Sequence, residues 1–135
     1  MSTTTVLPLL EVADVAADMG CDGAEELRFL TADLGTTGVG ATLHRIRPGA
    51  RQPFGHRHHA ATNEEVYVVL AGSGRLAAGD VVHELQRLDA VLVPAPLPRA
   101  MEAGPDGMEV LVFGTRHDAD GELEMGWWPD QPAVT

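Results

Sequence analysis

His56 and His58 lie two positions apart in the stretch FGHRHHAATNEEVYVVLAGSG. In an extended strand, residues i and i+2 point to the same side, roughly 6.5 to 7 Å apart, which lets two imidazoles share one metal ion. A polar loop follows, and then VYVVL, whose β-branched and aromatic residues predict a buried strand. If that strand returns antiparallel to the histidine strand, it carries a glutamate back toward the pair. Glu65, Tyr67 and Val69 share one face, and Glu64, Val66, Val68 and Leu70 share the other. Two neutral imidazoles and one carboxylate with open positions form a ligand set for non-haem Fe(II) that also suits Mn, Ni, Zn or Cu. The set predicts one divalent transition metal without choosing which.

The elements that must hold these residues are read from turn signals. Residues 26–34 and 39–46 predict two strands of a hairpin, split by Gly35, Thr36, Thr37 and Gly38. Beyond Gly72, turns recur at 79–80, 86–88, 94–98 and 104–107, bounding short apolar strands at 81–85, 90–93, 99–102 and 108–113. No helix-period segment of ten or more residues follows Gly35. The pattern is that of an all-β sandwich or barrel, whose closure removes sheet edges. Residues 3–15 predict an extended arm with a helical turn before Gly20. Residues 117–126 predict an exposed acidic segment, and Trp127 and Trp128 an anchor against the barrel or a second subunit.

At 135 residues and 44% hydrophobic, the chain suits one domain, with a barrel core at about 38–114, an arm and hairpin at 1–37 and a tail at 115–135. The formal charge of −11 argues against nucleic-acid or anionic-membrane partners, which need clustered Lys and Arg. The single cysteine, Cys21, excludes an internal disulfide and fits a reducing compartment. The N-terminus has no basic leader pattern, and no run approaches 18 apolar residues, so a cytoplasmic location is expected. His44, His83 and His117 are isolated in sequence and predict structural or exposed positions; His59 predicts an exposed one.

The histidine stretch resembles the first signature of the cupin superfamily, which has a His-x-His pair, a glutamate and a glycine seven positions beyond it. Glu65 and Gly72 keep that last interval, which favours Glu65 over Glu64 as the ligand, although the six residues between His58 and Glu65 exceed the usual spacing and leave Glu64 open. The stretch LDAVLVPAPLPRAMEA aligns with the second signature but retains only Pro94. Leu88 and Pro96 stand at its glycine positions, Ala103 at its asparagine and Arg99 at its histidine. A protonated guanidinium has no lone pair to give, so Arg99 cannot be a fourth ligand.

The resemblance implies a single cupin-type jelly-roll β-barrel, commonly a homodimer in which the arm packs on a neighbouring barrel. Three readings of Arg99 stay open: a fork of donors for an anionic ligand, a partner for Glu65 in a metal-free barrel, or an outward position at the rim. Tyr67 and Met101 would share its interior, as substrate contacts or as ordinary core. Two functions follow: a mononuclear metal-dependent oxygenase or isomerase acting on an anionic small molecule, or a non-catalytic small-molecule-binding cupin that can be metal-free. No catalytic residue is assigned.

Overall fold

The computed structural model describes residues 3–117 and 120–129. The outer ends of the expected arm and tail, 1–2 and 130–135, and positions 118–119 lie outside the described residues. Eight strands follow in order: β1 (Glu25–Phe29), β2 (Val39–Ile46), β3 (Phe54–His58), β4 (Glu65–Ala78), β5 (Val81–Gln86), β6 (Ala90–Val93), β7 (Arg99–Thr115) and β8 (Gly121–Met125). They form one curled antiparallel sheet ordered β1-β2-β7-β3-β8, with β4 pairing β5, β6 and β7. Strand β7 is the spine, shared by β2, β3 and β4.

Side-chain alternation sets what faces inward. Tyr67 and Thr42 both lie opposite Val112 in the ladders, and Val69 and His44 both lie opposite Val110. Directly opposed residues of antiparallel strands project to the same side. These rows therefore form one continuous inner face, on which Tyr67, Val69, Leu76, Met101, Met108 and Val110 are fully buried. Each such aliphatic side chain contributes about 1.5–3 kcal/mol relative to exposure.

Three expectations are corrected. The histidine strand does not pair with β4; β3 pairs with β8 and meets β7 at His56 opposite Arg99. At its Glu65 end β4 is already flanked by β6, through Val93, and by β7, through Gly114. Both hydrogen-bonding edges are filled, and β3 reaches Glu65 across the interior instead. Second, the strand expected over 26–34 ends at Phe29, and Thr31–Leu34 forms the helical turn α2, closed by Gly35 at φ 72°. Third, 104–107 does not divide β7. The register passes from Gly72 opposite Met108 to Gly74 opposite Ala103, so the extra residues are absorbed as a bulge. Gly72 makes this possible, since it sits at φ 73° and a Cβ there would collide with the Gly107 carbonyl.

The arm packs on its own barrel. Leu7, Leu9 and Val12 cover Leu30 and Leu43, while Ala16 in the short helix α1 (Ala16–Met19) joins Cys21, Leu27 and Phe54. Asp14 ties the two layers together, its Oδ1 accepting from the amides of Ala16 at 3.0 Å and Leu27 at 2.9 Å. At the other end, the segment expected as an exposed acidic run contains β8, whose residues are exposed yet hydrogen-bonded to β3. Trp127 lies flat against Gly55, where a Cβ would come within 2.6 Å of its Cε3. Trp128 stacks under Arg51, whose Cζ is 4.1 Å from the ring centroid.

Candidate metal centre and cavity

The extended backbone of β3 turns His56 and His58 to one side, and the first residue of β4 brings Glu65 to meet them. One ligand atom from each lies within 4.8 Å of the others. His56 Nε2 is 3.3 Å from Glu65 Oε1, and His58 Nε2 is 3.5 Å from Oε2. Glu64 is not one of the converging groups, although it lines the adjoining cavity.

The remaining contacts of Glu65 orient it. Oε1 accepts from the Tyr67 hydroxyl at 2.9 Å and from Arg99 Nη1 at 2.9 Å, so Oε2 is the oxygen left with free lone pairs. Arg99 is 1% exposed, and its Nη2 donates to the carbonyls of Pro94 at 2.5 Å and Ala95 at 3.2 Å. Its fork is thus committed to Glu65 and to backbone, and neither Arg99 nor Met101 is among the residues lining the cavity. Met101 packs in the core with Leu76 and Tyr67. Tyr67 does line the cavity.

Burial and charge act on these groups in opposite directions. Burial holds the His56 imidazole below its usual range despite the neighbouring carboxylate, which keeps it in the neutral form a metal ligand needs. Burial alone would raise the Glu65 carboxyl, but the His56 and His58 imidazoles set against it outweigh burial and hold the group ionised, well below the carboxylate range. Burial, then the Glu65 charge, raises the Tyr67 phenol well above its normal value, so it stays a donor.

The donor set fits a divalent ion. Among the described residues, both ring nitrogens of His58 are buried without a hydrogen-bond partner, which costs free energy unless something else engages them. A metal ion on Nε2 would supply that engagement, and Asp120 Oδ2, 4.0 Å from Nδ1, stands where it can orient the ring. Asp120 is itself fixed by the amides of His59 and Ala60 and by the side chain of Asn63.

The centre opens into a cavity of about 540 Å³. Its walls are mostly apolar, with Leu27, Phe29, Phe54, Val112 and Leu123 among the lining residues, and the only arginine on it among the described residues is Arg116. Sequence reasoning missed two of its histidines. His117 approaches the centre from the end of β7, its ring 4.7 Å from that of His58. His44 lines the same cavity and is braced by buried Glu25. For His44 a signal existed in its inward alternation with Thr42 and Ile46, whereas the placement of His117 follows only from the course of β7.

No family profile matches the sequence, and no curated protein does. Solved structures do. An oxalate decarboxylase of Bacillus subtilis aligns at TM-score 0.74 and 16% identity over 92% of this chain, which spans only 33% of that one. A cupin protein from Bacteroides fragilis aligns at TM-score 0.64 and 21% identity, covering 88% of each chain. The polyketide cyclase RemF from Streptomyces resistomycificus aligns at TM-score 0.71 and 18% identity over 95% of this chain and 89% of its own. With its curled all-β sheet and His-x-His pair facing a glutamate across the interior, this chain has the cupin fold.

Proposed function

We propose that the chain is a metal-dependent cupin that holds one divalent ion through His56, His58 and Glu65 and acts on a small molecule in the adjoining cavity. The observation that carries this is His58, a buried imidazole with no hydrogen-bond partner for either nitrogen among the described residues, aimed at the free oxygen of a fixed carboxylate. Bound there, the ion would supply Lewis-acid or O₂-activating chemistry. Arg99 and Tyr67 hold Glu65 in place, and the apolar walls exclude water and select a mostly apolar ligand. Between oxygenase and isomerase, the near full-length likeness to a polyketide cyclase and the apolar walls support non-oxidative rearrangement of a carbonyl compound. An anionic group on that compound would meet Arg116 at the mouth rather than Arg99.

One observation favours the metal-free receptor reading. Glu65 already has a guanidinium partner, so its charge is balanced without an ion. Metal analysis of protein purified without added metal decides between the two. The enzyme reading expects about one divalent ion per chain, lost in the His56→Ala, His58→Ala double variant; a wild-type chain that neither retains nor takes up Fe, Mn, Ni, Zn or Cu sinks it.

Homodimerisation belongs to the same proposal. The arm and Trp128 are engaged on their own barrel, yet Val6 and Leu10 on the arm are 91% and 58% exposed, which supports an arm-mediated dimer readable as molar mass in solution. A cytoplasmic setting is supported by a sole cysteine that is free and buried, its thiol pushed up to about 11 by burial and by Glu25. No helix among the described residues is long and apolar enough to cross a membrane.

A further inference from the structure

A second polar cluster lies inside the barrel, apart from the metal centre. Glu25 at the start of β1 is 1% exposed, and its two oxygens have separate partners. His44 Nδ1 is 2.5 Å from Oε1, and Gln52 Nε2 donates to Oε2 at 2.7 Å. The orientation of the Gln52 amide follows from its other end, where Oε1 accepts the Met101 amide hydrogen at 2.8 Å. Gln52 Nε2 is therefore a donor. Nδ1 also lies 3.2 Å from Gln52 Nε2, but Glu25 Oε1 is nearer at 2.5 Å, and with Glu25 as the acceptor the shared proton of the pair sits on Nδ1. The neutral ring then carries its lone pair on Nε2.

Nε2 has no protein partner among the described residues, and His44 lines the cavity that also holds His56, His58 and Glu65. A buried carboxylate behind an imidazole, with the far nitrogen free and facing a cavity, is the arrangement of a general base oriented by a third group. His44 satisfies the nitrogen facing Glu25 and leaves Nε2 open to the cavity.

We propose that His44, oriented by Glu25 and Gln52, is the proton-transferring residue of the cavity and that the ligand is an apolar ketone with an acidic C–H beside its carbonyl. His44 Nε2 takes the proton from that carbon, and the C–H electron pair forms the enolate, placing charge on the carbonyl oxygen. The imidazolium, stabilised by the Glu25 carboxylate, then returns the proton to a different carbon or to oxygen. The exchange balances without oxidant, reductant or second substrate. Glu25 and Gln52 are positioning residues. The proposal rests on reading the cavity as a reaction site.

The probe is 2-tetralone in D₂O with zinc-loaded protein, its α-proton exchange followed by proton NMR, beside a ¹⁵N NMR assignment of the His44 tautomer. The wild type is expected to exchange the probe faster than buffer and to show His44 protonated on Nδ1. His44→Gln should lose roughly 10²-fold or more of the rate while keeping the wild-type zinc content. Glu25→Gln should reduce the rate less and mix the tautomers, an effect that a merely structural glutamate would not produce. An unaccelerated wild type, an unchanged rate in His44→Gln, or a proton on Nε2 overturns the proposal. Exchange that persists in the His56→Ala, His58→Ala double variant without zinc leaves the dyad standing and removes the metal reading instead.

Discussion

Arg99 Nη1 lies 2.9 Å from Glu65 Oε1, and the two side chains are 1% and 18% exposed. The residue at the position of a cupin histidine thus acts on the candidate metal centre through the glutamate. A cation with no lone pair cannot ligate, but it can keep a carboxylate ionised and aimed in a low-dielectric interior.

Removing that partner strands a buried charge. Arg99→Ala is expected to lower unfolding stability by about 3–5 kcal/mol, the usual cost of breaking a buried pair from one side. Zinc should restore part of the loss, because an ion would replace the missing positive charge on Glu65. Urea unfolding with and without zinc measures both effects, and a variant that zinc leaves unchanged contradicts the proposed ligand role of Glu65.

Two backbone positions should respond in opposite directions. Leu88 adopts φ 71° in the turn between β5 and β6 with its side chain 66% exposed, so it bears the left-handed strain without burying much surface in return. Leu88→Gly should raise stability by about 1 kcal/mol, the typical cost of that conformation for a residue with a Cβ. Gly72→Ala should lower it by more than about 2 kcal/mol, since the same strain is joined by collision with the Gly107 carbonyl. Thermal unfolding of the two variants tests the pair, and a destabilised Leu88→Gly would show that the strain is offset by packing.

Glu102 should make the outer face of the barrel sensitive to acid. Burial would raise its carboxyl, but the hydrogen bonds and charges of Arg75 and Arg51 outweigh burial and lower it below 4.5. A depressed folded value means that the stabilisation is complete above 4.5 and is lost as pH falls through the folded value. Urea midpoints between pH 6 and 3 should therefore fall less steeply for Glu102→Gln, with the wild-type advantage at pH 6 about 1 kcal/mol or less, as expected of a half-exposed pair. Arg51 also covers Trp128, so indole fluorescence should move over the same range. Equal pH slopes for the two proteins would rule this role out.

The all-β class and the shared face of Glu65, Tyr67 and Val69 could be read from residue order alone, because strand alternation and turn chemistry are local. The His-x-His pair was legible for the same reason, since neighbours two apart in a strand need no fold to be brought together. Which strands become neighbours is not local. β3 was expected beside β4, yet β6 and β7 fill both edges of β4, and the glutamate meets the histidines across the interior. The fork of Arg99 had three open directions until the Pro94 and Ala95 carbonyls closed around one of them. Glu25 and His44 lie nineteen positions apart, and the alternation that marks His44 as inward names no partner for it. Only the β1–β2 ladder sets them on one inward face, since side-chain partnership across a sheet depends on register, and the packing of the whole barrel decides register.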